Sequence, residues 1–167
     1  MFPKLYKRCY ITPVDLLDSN HWSDLHALLA DLDRDIAALY TEAGIEGMRT
    51  RFVGPLIALH RFGPMTIREL AARRGVSHSA MSQTAAAMAR AGFVESAAGD
   101  DGRTRPIGLT ARSREIMPFL VAEWRSTEAA VRQLDEELPY SMTQVVADLR
   151  ALLAARPFAE RLRPVDR

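Results

Sequence analysis

The sequence predicts a mainly α-helical protein with one short β-hairpin. Apolar residues recur at spacings of three and four along most of the 167-residue chain, as on the buried face of a helix. Near the middle, two short stretches each begin with a capping residue and end at a glycine, which are ordinary helix limits. One segment, residues 93–109, places a glycine- and aspartate-rich turn between two short apolar stretches, the pattern of two paired strands.

The composition is that of an ordinary globular protein, with 48% hydrophobic residues, 26% charged residues and a net charge of +1. Overall charge therefore does not identify a nucleic-acid binder, and any basic surface has to be local. The single cysteine excludes an internal disulfide framework and a cysteine-rich zinc site. Because the chain also shows no apolar run typical of a secretion signal or a membrane helix, we expect a cytoplasmic protein.

Residues 1–20 are interpreted as an amino-terminal arm, because prolines at positions 3 and 13 interrupt any helix. Cys9 in this arm has two interpretations. Neighbouring Lys7 and Arg8 can lower the pKa of the thiol and make it redox-active, or the thiol is small, inert and partly buried.

One amphipathic helix is predicted within residues 21–45, between a cap at Ser19 or Asn20 and a stop at Gly44. Its polar face is acidic, which indicates a solvated surface, with a metal site as the alternative. The apolar stripe consists of Leu25, Leu28, Leu29, Leu32, Ile36, Leu39 and Tyr40.

A second helix is predicted from about residue 51 to residue 61, where apolar residues again follow helical spacing. Pro55 is expected in its first turn, where a missing N–H is tolerated. Gly63 and Pro64 end this helix.

Two short helices joined by a tight turn come next. Thr66 and Glu69 have the spacing of a capping box, and Gly75 stops the first helix. Ser77 caps the second helix, which ends near Gly92. This arrangement is a helix-turn-helix, whose second helix is shaped to enter a DNA major groove. The residues expected to face inward are Val76, Met81, Met88 and Phe93.

The hairpin follows the second helix directly. A polar tip over residues 97–105 separates two short strands, and Ile107 and Leu109 lie on the same face of the returning strand. Pro106 has to lie at an edge or at the start of this strand, because it has no N–H to donate. A helix-turn-helix followed by a two-stranded ribbon is a winged helix.

The carboxyl-terminal part predicts two further helices. Thr110 caps a long one that contains Pro118 and ends at Pro139, and Ser141 with Gln144 has the spacing of a second capping box. The apolar positions of the long helix are Ile116, Leu120, Trp124, Val131 and Leu134, and those of the last helix are Val145, Val146, Leu149, Leu152 and Leu153.

Residues 64–112 share a set of short motifs with one family. They are Gly63-Pro64-Met65-Thr66, Glu69-Leu70-Ala71, Gly75-Val76-Ser77, Met81-Ser82, Gly92-Phe93-Val94, and Asp101-Gly102-Arg103 followed by Ile107 and Leu109-Thr110. In these motifs the chain resembles the multiple-antibiotic-resistance regulator (MarR) family of bacterial winged-helix repressors. The resemblance implies a DNA-binding winged helix over residues 51–112, dimerisation helices over 21–45 and 113–156, and a basic tail over 157–167.

The outer helices carry more apolar surface than a small winged helix needs, which favours a homodimer over a monomer that folds its own helices together. Two-fold dimers read two half-sites about one DNA turn apart.

Candidate base contacts lie on the outward face of the second helix of the helix-turn-helix. Glutamine can bridge N6 and N7 of adenine, so Gln83 is the leading candidate, with an ordinary solvated side chain as the alternative. Ala86 and Ala87 stand where the resembled family often has polar or charged residues, and they remove potential phosphate contacts. The full set of base-contact candidates is His78, Ser79, Ser82 and Gln83.

Arginine supplies the basic groups, since residues 66–115 hold eight arginines against five carboxylates, a local net charge of +3. Arg103 at the wing tip is expected to enter a narrow minor groove, and Asp101 to orient an arginine through a charge-assisted hydrogen bond. Candidates for contacts to backbone phosphates are Arg73, Arg74, Arg105 and Ser77.

The resemblance also implies release of DNA by a small aromatic or anionic effector, bound between the dimer helices and the winged helix. The candidate lining residues are Trp22, Tyr40, His60 and Trp124, and the alternative is that they are core or interface aromatics. No cofactor, metal or catalytic group is predicted.

Two functions from different classes follow. The first is a homodimeric, sequence-specific transcriptional regulator acting as a repressor. The alternative is a winged-helix protein-interaction module without DNA binding, which the two alanines and the small local charge favour. An enzyme is not expected, because the four histidines are scattered and the sequence shows neither a phosphate-binding glycine loop nor a nucleophile–base pair.

Overall fold

The computed structural model describes residues 22–97 and 105–162 of the chain. Two compact units divide the chain, Met1–Thr50 and Arg51–Arg167. In chain order the elements are α1 (Ser23–Glu42), α2 (Thr50–Phe62), α3 (Ile67–Arg74), α4 (His78–Arg90), β1 (Val94–Ser96), β2 (Ile107–Leu109), α5 (Ala111–Glu137), α6 (Met142–Ala155) and a short 3-10 helix (Phe158–Arg161).

The described part of the first unit is built around α1. This helix begins at Ser23, and its cap position is held by Trp22, which makes no side-chain capping hydrogen bond. Ser19 and Asn20, the predicted caps, lie outside the described residues. The stop at Gly44 is confirmed: this glycine has φ +67°, and its N–H donates to the carbonyl of Thr41 over 3.0 Å.

The second unit begins with α2, whose start at Thr50 makes Pro55 its sixth residue. The expectation that Pro55 lies in the first turn is therefore wrong, since the helix begins earlier than the apolar spacing indicated. Pro55 offers no N–H to the carbonyl of Arg51 four residues before it. The helix nevertheless continues to Phe62 and buries most of its residues between positions 52 and 59.

The helix-turn-helix has the predicted local signals. Thr66 accepts a hydrogen bond from the N–H of Glu69, and the Glu69 carboxylate accepts from the N–H of Thr66 over 2.8 Å, which completes the capping box. Gly75 ends α3 with φ +64°. Ser77 caps α4 by accepting from the N–H of Ala80 over 3.2 Å, and Gly92 follows the end of α4 with φ +74°.

The two strands of the wing pair antiparallel, with Val94 opposite Leu109 and Ser96 opposite Ile107. Below the tip, the N–H of Ala97 donates to the carbonyl of Pro106 over 2.9 Å. Met65 joins the ribbon as well, because it exchanges two backbone hydrogen bonds with Ile107 at 3.0 and 2.8 Å. The predicted fold, a mainly helical winged helix with a two-stranded wing, is confirmed.

The core of the second unit lies between α2, the helix-turn-helix, the strands and the first half of α5. Phe52 and Phe93 meet at its centre edge to face, with ring centroids 6.1 Å apart. Burying such side chains is what fixes the positions of α3 and α4. The largest fully buried side chains are Phe52, Phe93, Leu56, Leu70, Met88, Met117, Leu120 and Val53.

The joint between α5 and α6 differs from the sequence prediction in one respect. Ser141 caps α6 by accepting from the N–H of Gln144, but the Gln144 amide donates to Asp148 and not back to the cap. The reciprocal role belongs to Asp135, which accepts from the Ser141 hydroxyl over 2.7 Å and from the N–H of Met142 over 2.6 Å. The second capping box is therefore only half present.

The carboxyl-terminal helices leave much of their apolar surface open in the single chain. The second half of α5 has exposed side chains at its predicted apolar positions, and α6 has no buried residue. None of the helices within residues 22–97 and 105–162 is both long enough and apolar enough to cross a membrane. From position 131 to position 162, the exposed large hydrophobic residues are Val131, Leu134, Leu138, Tyr140, Met142, Val146, Leu152, Leu153, Phe158 and Leu162.

Candidate nucleic-acid interface

The outward face of α4 is the most distinct polar surface of the helix-turn-helix. All four predicted base-contact residues are exposed on this face. The last three follow the first by one, four and five positions, which places them on the same side of the helix. The opposite face packs inward through Met81, Ala85 and Met88, which are at most 5% exposed. The exposed residues are His78, Ser79, Ser82 and Gln83, and Ala86 continues the same face.

Two expectations about this helix are wrong. Val76 is 44% exposed and does not face inward, because it lies in the turn before the cap and is held there through its backbone N–H to Ala71. Ala87 is buried and so takes no part in the outer face. Of the two alanines, only Ala86 lies on the exposed face, where it provides no polar group for a contact.

Both ends of α4 are fixed. At the start, the Ser77 hydroxyl oxygen is used by the cap, while its O–H remains able to donate outward. At the end, the Arg112 guanidinium donates to the carbonyl of Ala91 over 3.0 Å and lies 4.7 Å from the centroid of Phe93. The Thr110 hydroxyl donates to the carbonyl of Gly92 over 2.9 Å.

The contacts of Thr110 and Arg112 connect the end of α4 to the start of α5. Sequence reasoning identified Thr110 as a cap but assigned no contact to Arg112. No local pattern marks it, because its partners lie about twenty residues earlier in the chain.

The carboxylate of Glu69 is held ionised at the start of α3. Hydrogen bonds from the backbone N–H of Thr66 and then from its side chain lower the pKa of Glu69, and the positive charge of Arg73 adds a smaller effect in the same direction. Glu69 thus places a negative charge at the start of α3.

The two adjacent arginines predicted to contact phosphates fold back onto the second unit. The guanidinium of Arg73 lies 3.8 Å from the ring centroid of Phe62. That of Arg74 lies 5.6 Å from the Trp124 ring and against Gly54 of α2. Both side chains remain partly exposed and border a cavity of about 190 Å³.

The wing is described only at its base. Arg105 is exposed two residues before the start of β2, so its side chain is accessible to a phosphate. Asp101 and Arg103, predicted to act at the tip, lie outside the described residues, and so does Cys9 in the amino-terminal arm.

The predicted effector residues are divided between the two units. In the first unit Trp22 is 47% exposed and Tyr40 is buried. In the second unit His60 and Trp124 border different cavities: His60 lines one of about 540 Å³ beside Pro64, and Trp124 lines the smaller cavity near Arg74. The two therefore do not converge within that unit.

Comparison with known proteins agrees with this geometry. Residues 56–104 match the model of the MarR family. A Mycobacterium tuberculosis transcriptional regulator, MosR, solved in complex with DNA, is 26% identical with a TM-score of 0.55, over 80% of this chain and 92% of that one.

Two further structures share the fold. MosR in a second crystal structure is 22% identical, with a TM-score of 0.53 over 87% of this chain and 99% of that one. Staphylococcus aureus MepR, solved in complex with DNA, is 12% identical, with a TM-score of 0.59 over 81% of this chain and 97% of that one. A search among curated protein sequences gives no match.

Proposed function

Because residues 56–104 match the model of the MarR family, we propose that the protein is a sequence-specific regulator of transcription that binds double-stranded DNA. One observation carries this proposal: α4, the proposed recognition helix, exposes four polar side chains on its outer face, while its inner face and both of its ends are fixed to the rest of the unit. A rigidly held helix with short polar side chains outward can be inserted into a major groove without reordering.

Within this proposal, each part of the interface has its own task. Gln83 reads an adenine through two hydrogen bonds, and the serines and His78 contact neighbouring base edges. Arg103 enters the minor groove with Asp101 orienting an arginine beside it. Arg105 and Arg73 contact phosphates, which set the register on the duplex without reading its sequence.

We also propose that the protein works as a homodimer. Supporting this, α5 and α6 expose apolar side chains such as Leu134, Val146 and Leu153 at 41–51%. Surfaces of this kind are uncommon on monomers and are covered in oligomers. Sedimentation of the purified protein is expected to give twice the mass of the chain, and a monomer at micromolar concentration would overturn this part.

The regulator is proposed to repress, and to leave DNA when a small aromatic or anionic effector binds. Such release requires that the effector binds more tightly to an arrangement of the dimer's two winged helices that does not fit DNA. The measurement is DNA affinity with and without each member of a panel of such compounds; an affinity unchanged by every member of the panel would remove this part of the proposal.

The test of the central proposal is selection of bound duplexes from a random library, followed by titration of the best duplex with salt. The logarithm of the binding constant should fall steeply and linearly with the logarithm of the salt concentration, because each phosphate contact releases counterions. A protein that retains no duplex even at low salt would be a winged-helix interaction module instead, the function that Ala86 on the outer face of α4 favours.

A further inference from the structure

Arg74 has an unusual place in the fold. It is the last residue of α3, directly before the left-handed Gly75 and three residues before Ser77, the cap of the recognition helix. Its side chain turns away from the outer face of α4 and reaches α2 and α5. It therefore connects the turn of the helix-turn-helix to two other helices.

The contact with α2 depends on a missing side chain. A Cβ built on Gly54 would lie 2.5 Å from Nη2, 2.6 Å from Cζ and 2.8 Å from Nε of Arg74. Because three atoms of the guanidinium are almost equally distant from this point, its flat face lies against the backbone of α2. Any residue with a side chain at position 54 would displace it.

The contact with α5 is aromatic. The Cζ atom of Arg74 lies 5.6 Å from the ring centroid of the half-buried Trp124, within the range of a cation–π interaction. Guanidinium groups suit such stacked sites, and an ammonium group does not reproduce their planar packing. Arg74 therefore differs from Arg73, which also lies on an aromatic ring but is not the side chain packed against Gly54 of α2.

We infer that Arg74 is a positioning residue, which sets the start of the recognition helix by packing between Gly54 and Trp124, and that it does not contact phosphate. The inference rests on the proposed DNA-binding function. It replaces the phosphate contact that the sequence predicted for Arg74, and leaves Arg73 and Arg105 as candidates for that role.

The first test asks whether the contact exists and does not use DNA. In a Trp22→Phe background, the remaining described tryptophan is Trp124, and its emission reports the neighbouring guanidinium. Arg74→Ala and Gly54→Ala are both expected to shift this emission, and the double variant to match Arg74→Ala alone. Additive shifts, or none, would overturn the contact.

The second test uses the best selected duplex. Gly54→Ala keeps the charge of Arg74 but displaces its guanidinium, so both Gly54→Ala and Arg74→Ala should weaken specific binding about two- to fivefold. Arg74→Lys should weaken binding to the same extent. Arg34→Ala, which removes an exposed charge from the polar face of α1, serves as the matched control and should bind like the wild type.

The salt dependence separates the two roles of Arg74. A positioning residue leaves the salt slope of binding unchanged and weakens specific more than non-specific duplexes. A phosphate contact weakens both alike and lowers the slope by about one. A lowered slope for Arg74→Ala, or full binding by Arg74→Lys and Gly54→Ala, would overturn the inference. If the wild type bound no duplex, the proposed function itself would fall, while the fluorescence result would still decide the contact.

Discussion

Removing the cap of α4 gives the most direct test of how this helix is held. Ser77→Ala deletes the hydroxyl oxygen that accepts from the N–H of Ala80 over 3.2 Å. The N–H then has only water as a partner, and loss of a serine cap costs about 1 kcal/mol, within a range of about 0.5–2 kcal/mol. For a chain of this size that lowers the melting temperature by about 2–4 °C.

The assay is urea unfolding, followed by circular dichroism at one fixed protein concentration so that any oligomerisation affects all variants equally. Ser79→Ala is the matched control, because it makes the same chemical change two residues further on at an exposed position without a capping role. Its stability should stay within about 0.5 kcal/mol of the wild type. Equal stabilities for both variants, or a larger loss for Ser79→Ala, would refute the capping argument.

A second substitution separates capping from a phosphate contact at the same residue. Aspartate caps helices about as well as serine, so Ser77→Asp should retain the stability that Ser77→Ala loses. If the Ser77 hydroxyl also contacts a phosphate, the added carboxylate repels DNA, and binding should weaken while unfolding is unchanged. Wild-type affinity for Ser77→Asp would remove Ser77 from the phosphate-contacting set.

Three further predictions concern the rest of the interface and the joint of the carboxyl-terminal helices. Arg103→Ala should weaken DNA binding, measured by fluorescence anisotropy, with an unchanged circular dichroism spectrum; unchanged binding would argue against a contact by the wing. Gln83→Ala should alter the sequence preference at one base pair by about 1–3 kcal/mol in a repeat of the duplex selection, whereas a uniform loss on all sequences would reassign Gln83 to the backbone. Hydrogen bonds from the Ser141 hydroxyl and then from the N–H groups of α6 lower the pKa of Asp135 below its usual 3.8. The Asp135 carboxylate therefore contributes its full stabilisation above pH 3.8, and this stabilisation is lost as the pH falls through the lowered pKa. In Asp135→Asn, the melting temperature should therefore depend less on pH in that acid range than it does in the wild type. An identical pH dependence would contradict this role of Asp135.

The elements that could be predicted from sequence are those with local causes. The capping box of Thr66 and Glu69, the cap at Ser77 and the glycine stops involve atoms within a few residues of one another, so their spacing alone determines them. The polar face of α4 followed from helical periodicity in the same way.

The features that escaped prediction have partners far along the chain or depend on where a helix starts. Met65 pairs with Ile107 across forty residues, and Arg74 meets Gly54 and Trp124 on two other helices. Val76 was assigned inward on apolar character alone, although its place in a turn leaves it exposed. Such contacts depend on tertiary packing, which the spacing of apolar residues along the sequence does not predict.

The attachment of α4 to the start of α5 has a mechanical consequence. α5 has 27 residues, and at 1.5 Å per residue it extends about 40 Å from the Thr110 and Arg112 contacts to its far end. Over such a length, a rotation of about 10° moves one end by about 7 Å relative to the other. In the proposed homodimer, where these apolar far ends would pair, such a tilt of α5 would move its α4 end by about 7 Å, comparable with the width of about 6 Å of the DNA minor groove.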